Sequence, residues 1–95
     1  MLFRSWRTVQ ARVLAQRGEF AEAEVLVREA VEIVGQTDWY HQRGQASSAL
    51  GEVLQLAGRT DEARAAYEQA RAYYERKQAR PELEEIRTRL DALGD

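Results

Sequence analysis

The sequence predicts an all-α fold: a superhelical array of antiparallel helix-turn-helix units, two complete pairs followed by a C-terminal capping helix. Three observations predict it. First, residues recur at a spacing of forty: Val13-Leu14 as Val53-Leu54, Gly18 as Gly58, Glu22-Ala23 as Glu62-Ala63, and Ala30 as Ala70. A period of this length marks one stacked supersecondary unit per repeat. Second, apolar residues in five successive segments follow the helical period. Third, Ala, Glu, Arg, Leu and Gln dominate the composition, all good helix formers, and there is one Pro.

The first helix is expected over about residues 4–17, with Trp6, Val9, Val13 and Leu14 at helical spacing and Arg7, Arg12 and Arg17 mostly off that face. Gly18 stops it, because glycine readily takes the left-handed conformation that ends a helix. The break before Phe20 is so short that the next helix must lie antiparallel.

The second helix, about residues 20–34, buries Ala23, Val27, Ala30, Val31 and Val34. Glu22 and Glu24 in its first turn suit the helix dipole. Glu24 and Arg28 form an i,i+4 pair worth a few tenths of a kcal/mol. Residues 35–38 make the next break, with Thr37 or Asp38 as N-cap.

The third helix, about residues 39–56, carries Leu50, Val53, Leu54 and Ala57, extended backward by Ala46 and Trp39. Gly44 costs about 1 kcal/mol relative to alanine there, so a bend or an early fray is expected. Gly51 is expected at a helix crossing. Gly58 ends this helix as Gly18 ends the first.

Thr60 is expected to cap the fourth helix, whose face runs Ala63, Tyr67, Ala70 and Tyr74 to an end near Lys77. Pro81 suits the first turn of the fifth helix. Leu83, Ile86, Leu90 and Leu93 form its buried side, and Glu85 and Arg89 pair on the other. The period continues through it: Trp6, Ala46 and Ile86 are in register, as are Val13, Val53 and Leu93. The fifth helix is thus the first helix of a third unit, and it covers the open end of the second pair while its charged side faces water.

Composition bounds the function. Ninety-five residues make one domain with a thin core. There is no Cys, hence no disulfide framework and no thiolate metal site, in keeping with a reducing, cytoplasmic setting. The formal charge is −2, with acids and bases interleaved, which is a solvated surface and not a nucleic-acid footprint. No apolar run approaches the roughly 18 residues of a membrane span. Lys77 is the only lysine among many arginines, which with the alanine content points to a GC-rich bacterial genome.

Met1-Leu2-Phe3-Arg4-Ser5 contains a Leu-Phe-Arg-Ser string that a common sequencing adapter also encodes. Residues 1–5 are therefore expected to be a non-native leader, the alternative being a genuine N-terminal turn. The domain is then residues 6–95, with repeat one at 6–37, repeat two at 38–77 and the capping helix at 80–93.

Candidates for chemistry are sparse. His41 is the only histidine, and with Asp38 it supplies two ligands where a metal site needs three or four. It reads as an exposed residue at a helix start. Glu82, Glu84 and Glu85 read as a charged face beside Arg87 and Arg89. No metal-protease motif, glycine-rich phosphate loop or Ser/His/Asp set is present. An enzyme is therefore not expected, nor a cofactor. Tyr67 and Tyr74 read as core, and Tyr73 as the better surface candidate. Of Trp39 and Tyr40, one ring is expected to staple the inter-repeat turn and the other to be exposed.

The residues Ala11, Leu14, Gly18, Phe20, Glu22-Ala23, Val27 and Ala30, and then Leu50-Gly51, Leu54, Gly58, Glu62-Ala63, Tyr67 and Ala70, resemble tetratricopeptide repeats. The small residues let helix backbones approach, and the large ones fill the gaps around them. The sequence departs from that pattern: the period is longer than the usual 34 residues, Thr60 stands at a turn position where an aromatic is expected, no Pro closes either unit, and Gln10 replaces an apolar residue. The longer period is similar to repeats of large bacterial regulators of the maltose-activator type, and the chain resembles the C-terminal tail of multidomain cyclase, ATPase or transcription regulators.

The resemblance implies a non-catalytic protein-interaction or scaffold module. Its partners would be a protein or peptide, or upstream repeats of the same chain, and neither nucleic acid nor membrane. The first helix of each pair would line a concave groove, placing Thr8, Arg12 and Ala15 in unit one and Ser48, Glu52 and Gln55 in unit two. These could equally be solvated or touch neighbouring repeats. The subclass that clamps a peptide's terminal carboxylate is not expected, because only Arg12 fits its basic set and Glu52 would repel such a ligand. The other implied reading is a structural self-association element that pairs through Trp6 and its apolar neighbours.

Overall fold

The computed structural model describes residues 6–94; the expected leader at 1–5 lies outside the described residues. Five α-helices follow one another: α1 (Trp6–Gln16), α2 (Phe20–Gly35), α3 (Tyr40–Leu56), α4 (Thr60–Lys77) and α5 (Arg80–Leu93). No strand occurs among the described residues. Helices α1, α3 and α5 form one layer, and α2 and α4 the other. The slab measures 35 × 33 × 18 Å, so its thin direction is close to two helix diameters.

The two hairpins close in the same way. Gly18 and Gly58 sit at φ +82° and +80°. In each, the amide three positions past the helix end reaches back to a leucine carbonyl: Glu19 N–H to Leu14 O and Arg59 N–H to Leu54 O, both 2.9 Å. This satisfies carbonyls that would otherwise be orphaned at the helix end. At the end of α4 Gln78 plays the glycine's part at φ 52°.

Helix starts differ from expectation. The N-caps of α3 and α4 are Trp39 and Arg59, not Thr37, Asp38 or Thr60, and neither makes a side-chain cap bond. Thr60 is already the first helical residue. Thr37 acts one step earlier, its hydroxyl accepting from the Trp39 amide at 3.1 Å and donating to Val34 O at 2.7 Å. The end of α2 is instead held from outside: the Arg43 guanidinium donates to the carbonyls of Val34, Gly35 (2.8 Å) and Thr37.

The core follows the forty-residue register. Ala23 and Ala63, Val27 and Tyr67, Ala30 and Ala70, and Val34 and Tyr74 are buried pair by pair. Burying a side chain of the larger kind contributes about 1.5–3 kcal/mol. The second unit uses tyrosine where the first uses valine, and glycine makes the room. A β-carbon on Gly51 would lie 2.6 Å from the Tyr67 ring, and one on Gly44 2.6 Å from the Tyr74 ring. Gly44 therefore does not fray α3, which runs unbroken past it.

The stripe expected on α1 is corrected. Its buried residues are Thr8, Ala11, Leu14 and Ala15, whereas Trp6, Val9 and Val13 are exposed. Periodicity locates an apolar face but does not say whether a neighbour covers it. The helix rests on α2 and α3, and no helix among the described residues lies on its other side.

Helix α5 docks on α4 and α3 through Ile86, fully buried, with Leu83, Leu90 and Leu93 partly buried against the same cluster. Its rim carries three polar contacts. Glu82 meets His41 Nε2 at 2.9 Å, Arg89 meets Glu52 at 2.5 Å, and Arg64 donates to Gly94 O at 2.7 Å. His41 is thus half-buried and bonded, tilted against Tyr74 with ring centroids 5.7 Å apart, and not simply exposed at a helix start.

Candidate docking site

The six residues placed in the groove divide into two sets. Thr8, Ala15 and Ser48 are buried, at 5%, 3% and 7% exposure. They belong to the contacts between helices and are withdrawn from any partner, a correction to the expected groove lining. Arg12, Glu52 and Gln55 remain accessible. They line an open cleft of about 530 Å³ across α1, α3 and α5, together with Gln16, Leu56 and Arg89.

The chemistry of the cleft is an ion triad. Glu52 stands between two guanidiniums, pairing with Arg12 on α1 and with Arg89 on α5. The expected repulsion at Glu52 is therefore answered from within, by Arg12 itself. Arg89 also reaches Glu85 at 3.3 Å, and its Nε is buried without an acceptor among the described residues. The Tyr67 hydroxyl donates to Gln55 Oε1 at 2.8 Å and fixes that amide at the floor. Burial pushes the Tyr67 phenol above its ordinary pKa, opposed by the neighbouring Arg89, so it stays a neutral donor. Tyr74 is pushed up to about 12, by burial first and then by the Glu82 and Glu85 carboxylates.

Arg89 was not among the expected groove residues. A signal for it lies in the register, where Val9 and Ala49 share its position. An arginine in that apolar column must send its head out to a carboxylate, and it meets Glu52 at 2.5 Å beside Glu85 at 3.3 Å.

A second surface is apolar. Trp6, Val9 and Val13 lie at i, i+3 and i+7 along α1, at 56%, 60% and 37% exposure. Their register mates on α3, Ala46, Ala49 and Val53, are buried at 1% or less against the preceding hairpin. The face that α3 turns toward unit one is thus repeated on α1 and left uncovered by any helix.

Among the described residues no group of three or more His, Cys, Asp or Glu is placed to hold a metal ion. No helix among them is long and apolar enough to cross a membrane. Tyr73, expected at the surface, is half-buried and stacked on Tyr40 with ring centroids 6.2 Å apart, while Trp39 is exposed. Arg76 of α4 lies over the Tyr40 ring at 4.4 Å.

The geometry is that of stacked helical hairpins with an inner cleft, and the family model for the tetratricopeptide repeat matches residues 2–76. The chain belongs to the tetratricopeptide-repeat family. No curated protein and no solved structure matches it. Tetratricopeptide repeats generally mediate protein–protein interaction, and the family is a non-catalytic interaction fold. In this tetratricopeptide-repeat protein both candidate surfaces lie on first helices of pairs, the ion-lined cleft between them and the apolar face on α1.

Proposed function

We propose that this chain is a non-catalytic docking module of a larger, cytoplasmic bacterial signalling or transcription regulator, lying at its C-terminal end. It works by stacking its α1 face on preceding repeats of the same kind and presenting the Arg12–Glu52–Arg89 cleft to a protein or peptide whose binding biases the parent's output. The observation that carries this reading is the register: Trp6, Val9 and Val13 are exposed where Ala46, Ala49 and Val53 are buried. A preceding hairpin would cover the first set as unit one covers the second. The contacts offered to a partner are Arg12, Glu52 and Gln55; Thr8, Ala15 and Ser48 support them from beneath.

The test is to express the chain with the coding sequence upstream of Trp6 and follow Trp6 fluorescence in a Trp39→Phe background. A blue shift and protection from quenching are expected. A Trp6 as solvent-exposed as in the present chain would reject the stacking.

A second reading is a structural self-association element with no peptide ligand. The same three residues favour it, since none is charged. It predicts a dimer abolished by Trp6→Glu in sedimentation.

A further inference from the structure

We propose that Tyr40 and Tyr73 form an oxidative cross-linking site: one-electron oxidants of the peroxide class join the two rings carbon to carbon and staple α3 to α4. This modification goes beyond the docking reading and needs neither the cleft nor the α1 face.

The two rings come from opposite ends of the second hairpin's sequence. Tyr40 is the first residue of α3, and Tyr73 lies in the last turns of α4. Folding stacks them with centroids 6.2 Å apart and planes 22° from parallel. A stack at that spacing is offset. It brings ring edges together, and the ortho carbons lie on those edges. Both rings are half-buried, so they are held in place yet open on one side to a small oxidant. Among the described residues neither hydroxyl meets a hydrogen-bond partner, whereas the fully buried Tyr67 gives its own to Gln55. Tyr74 is buried at 4% exposure and tilts against His41. Tyr40 and Tyr73 are thus the one pair of tyrosine rings placed to meet each other among the described residues.

The surroundings favour the chemistry. The chain has no Cys and a single Met, Met1, so no thiol intercepts an oxidising equivalent before the aromatic rings do. Arg43 lies over both rings, at 5.2 Å from Tyr40 and 5.7 Å from Tyr73, and Arg76 lies over Tyr40 at 4.4 Å. Loss of one electron turns a phenol into a strong acid. The guanidiniums disfavour the cationic form, so the proton leaves to water and a neutral phenoxyl radical remains. Its unpaired electron is shared with the ortho carbons. When both rings have reacted, two ortho carbons form one C–C bond, and each ortho hydrogen moves to its own oxygen to restore the phenol. Two electrons and two protons leave in all, and one hydrogen peroxide takes them up as two waters. Tyr40 has the freedom this closure needs: it opens α3, and Trp39 before it makes no side-chain cap bond. The link lies at the end of the hairpin opposite the Gly58 turn, so α3 and α4 become joined at both ends. Closing that loop removes freedom from the unfolded chain more than from the folded one.

The experiment exposes the full chain, at low concentration, to brief visible light with a ruthenium tris-bipyridine sensitiser and persulfate, which together withdraw single electrons as peroxide-driven oxidants do. Wild type is compared with Tyr40→Phe, Tyr73→Phe and Tyr74→Phe, each of which keeps its ring and hence its packing. Expected is a monomer with dityrosine emission, lighter by two hydrogens, in which the tryptic peptides 29–43 and 72–76 are joined. The emission is lost in Tyr40→Phe and in Tyr73→Phe and retained in Tyr74→Phe. The linked monomer is expected to show a higher urea midpoint than the untreated chain. Emission confined to covalent dimers would overturn the site, as would intrachain emission that survives Tyr40→Phe or Tyr73→Phe. Oxidation of the folded chain that stops at the indoles of Trp6 and Trp39, without any dityrosine, would overturn it as well. So would a linked monomer with a lower midpoint, because the bond would then form only in a distorted chain.

Discussion

Gly51 lies beneath the ring of Tyr67, so close that a β-carbon at position 51 would stand 2.6 Å from two of the ring carbons. The ring is fully buried and its hydroxyl is tied to Gln55, so it cannot swing away. Gly51→Ala is therefore expected to destabilise by about 1–3 kcal/mol, the usual cost of overpacking a core. Gly35→Ala is the control, because nothing lies within 4 Å of its would-be β-carbon. It should be neutral or stabilise by up to about 1 kcal/mol through the backbone. Urea midpoints of the two variants check the contrast, and equal midpoints would refute the contact.

Arg43 closes the end of α2 through three carbonyls, of which Val34 O also accepts from the Thr37 amide and hydroxyl. Arg43→Ala is expected to cost about 1–3 kcal/mol, since part-buried acceptors lose a charged donor. Arg43→Lys should recover little of it, because a single ammonium does not reproduce the planar fork. Hydrogen exchange at the last turn of α2 gives a local readout beside the global melt.

Stability should fall in acid. Glu24 is held below the ordinary carboxylate range by Arg59 first and then Arg28, Glu62 chiefly by Arg59, and Glu82 chiefly by His41. A carboxylate with a depressed folded-state pKa binds fewer protons folded than unfolded. Its contribution is thus present above the unfolded value of about 4.3 and is lost as pH falls through the folded value. Arg59→Gln should flatten the decline below about pH 4.3 while leaving the neutral-pH core unchanged. An acid limb of the same slope in the variant would show that Arg59 is not the source.

Two members of one register column, Val9 and Ala49, should respond unequally to charge. Val9→Glu alters an exposed position and is expected to change stability by no more than about 0.5 kcal/mol. Ala49→Glu places a carboxylate where the alanine is fully buried, and should cost more than about 3 kcal/mol or prevent folding. Thermal melts of the pair suffice. Comparable losses would mean that α1 is covered on the side where it is open here.

Much of this was readable from residues alone, for identifiable reasons. Gly18 and Gly58 end helices because left-handed backbone is a local demand that glycine answers wherever it occurs. The buried pairs from Ala23 and Ala63 to Val34 and Tyr74 follow from periodicity and register, both properties of the string. What could not be read depends on neighbours. The open face of α1 looks in sequence like the covered face of α3, since exposure is set by what lies alongside. Arg43 serves α2 across a turn, and a long flexible arginine leaves no spacing rule for such a reach. In the cleft, Arg12, Glu52 and Gln55 were found by register, whereas Arg89 sits in a column otherwise apolar and shows its role only through Glu52. Thr8 and Ser48 are register mates, and Ala15 is the mate of Gln55, but all three are small enough to be covered by the helices beside them.

Each helix rests chiefly on those next to it in the chain, with α1 reaching only as far as α3. No residue must wait for a distant segment before its core contacts can form. On a ribosome the first hairpin can pair once α2 has emerged, and α3 then completes its core with Ala46, Ala49 and Val53. A polypeptide arranged this way can be lengthened or shortened by evolution one hairpin at a time, because each hairpin leans on its immediate neighbours.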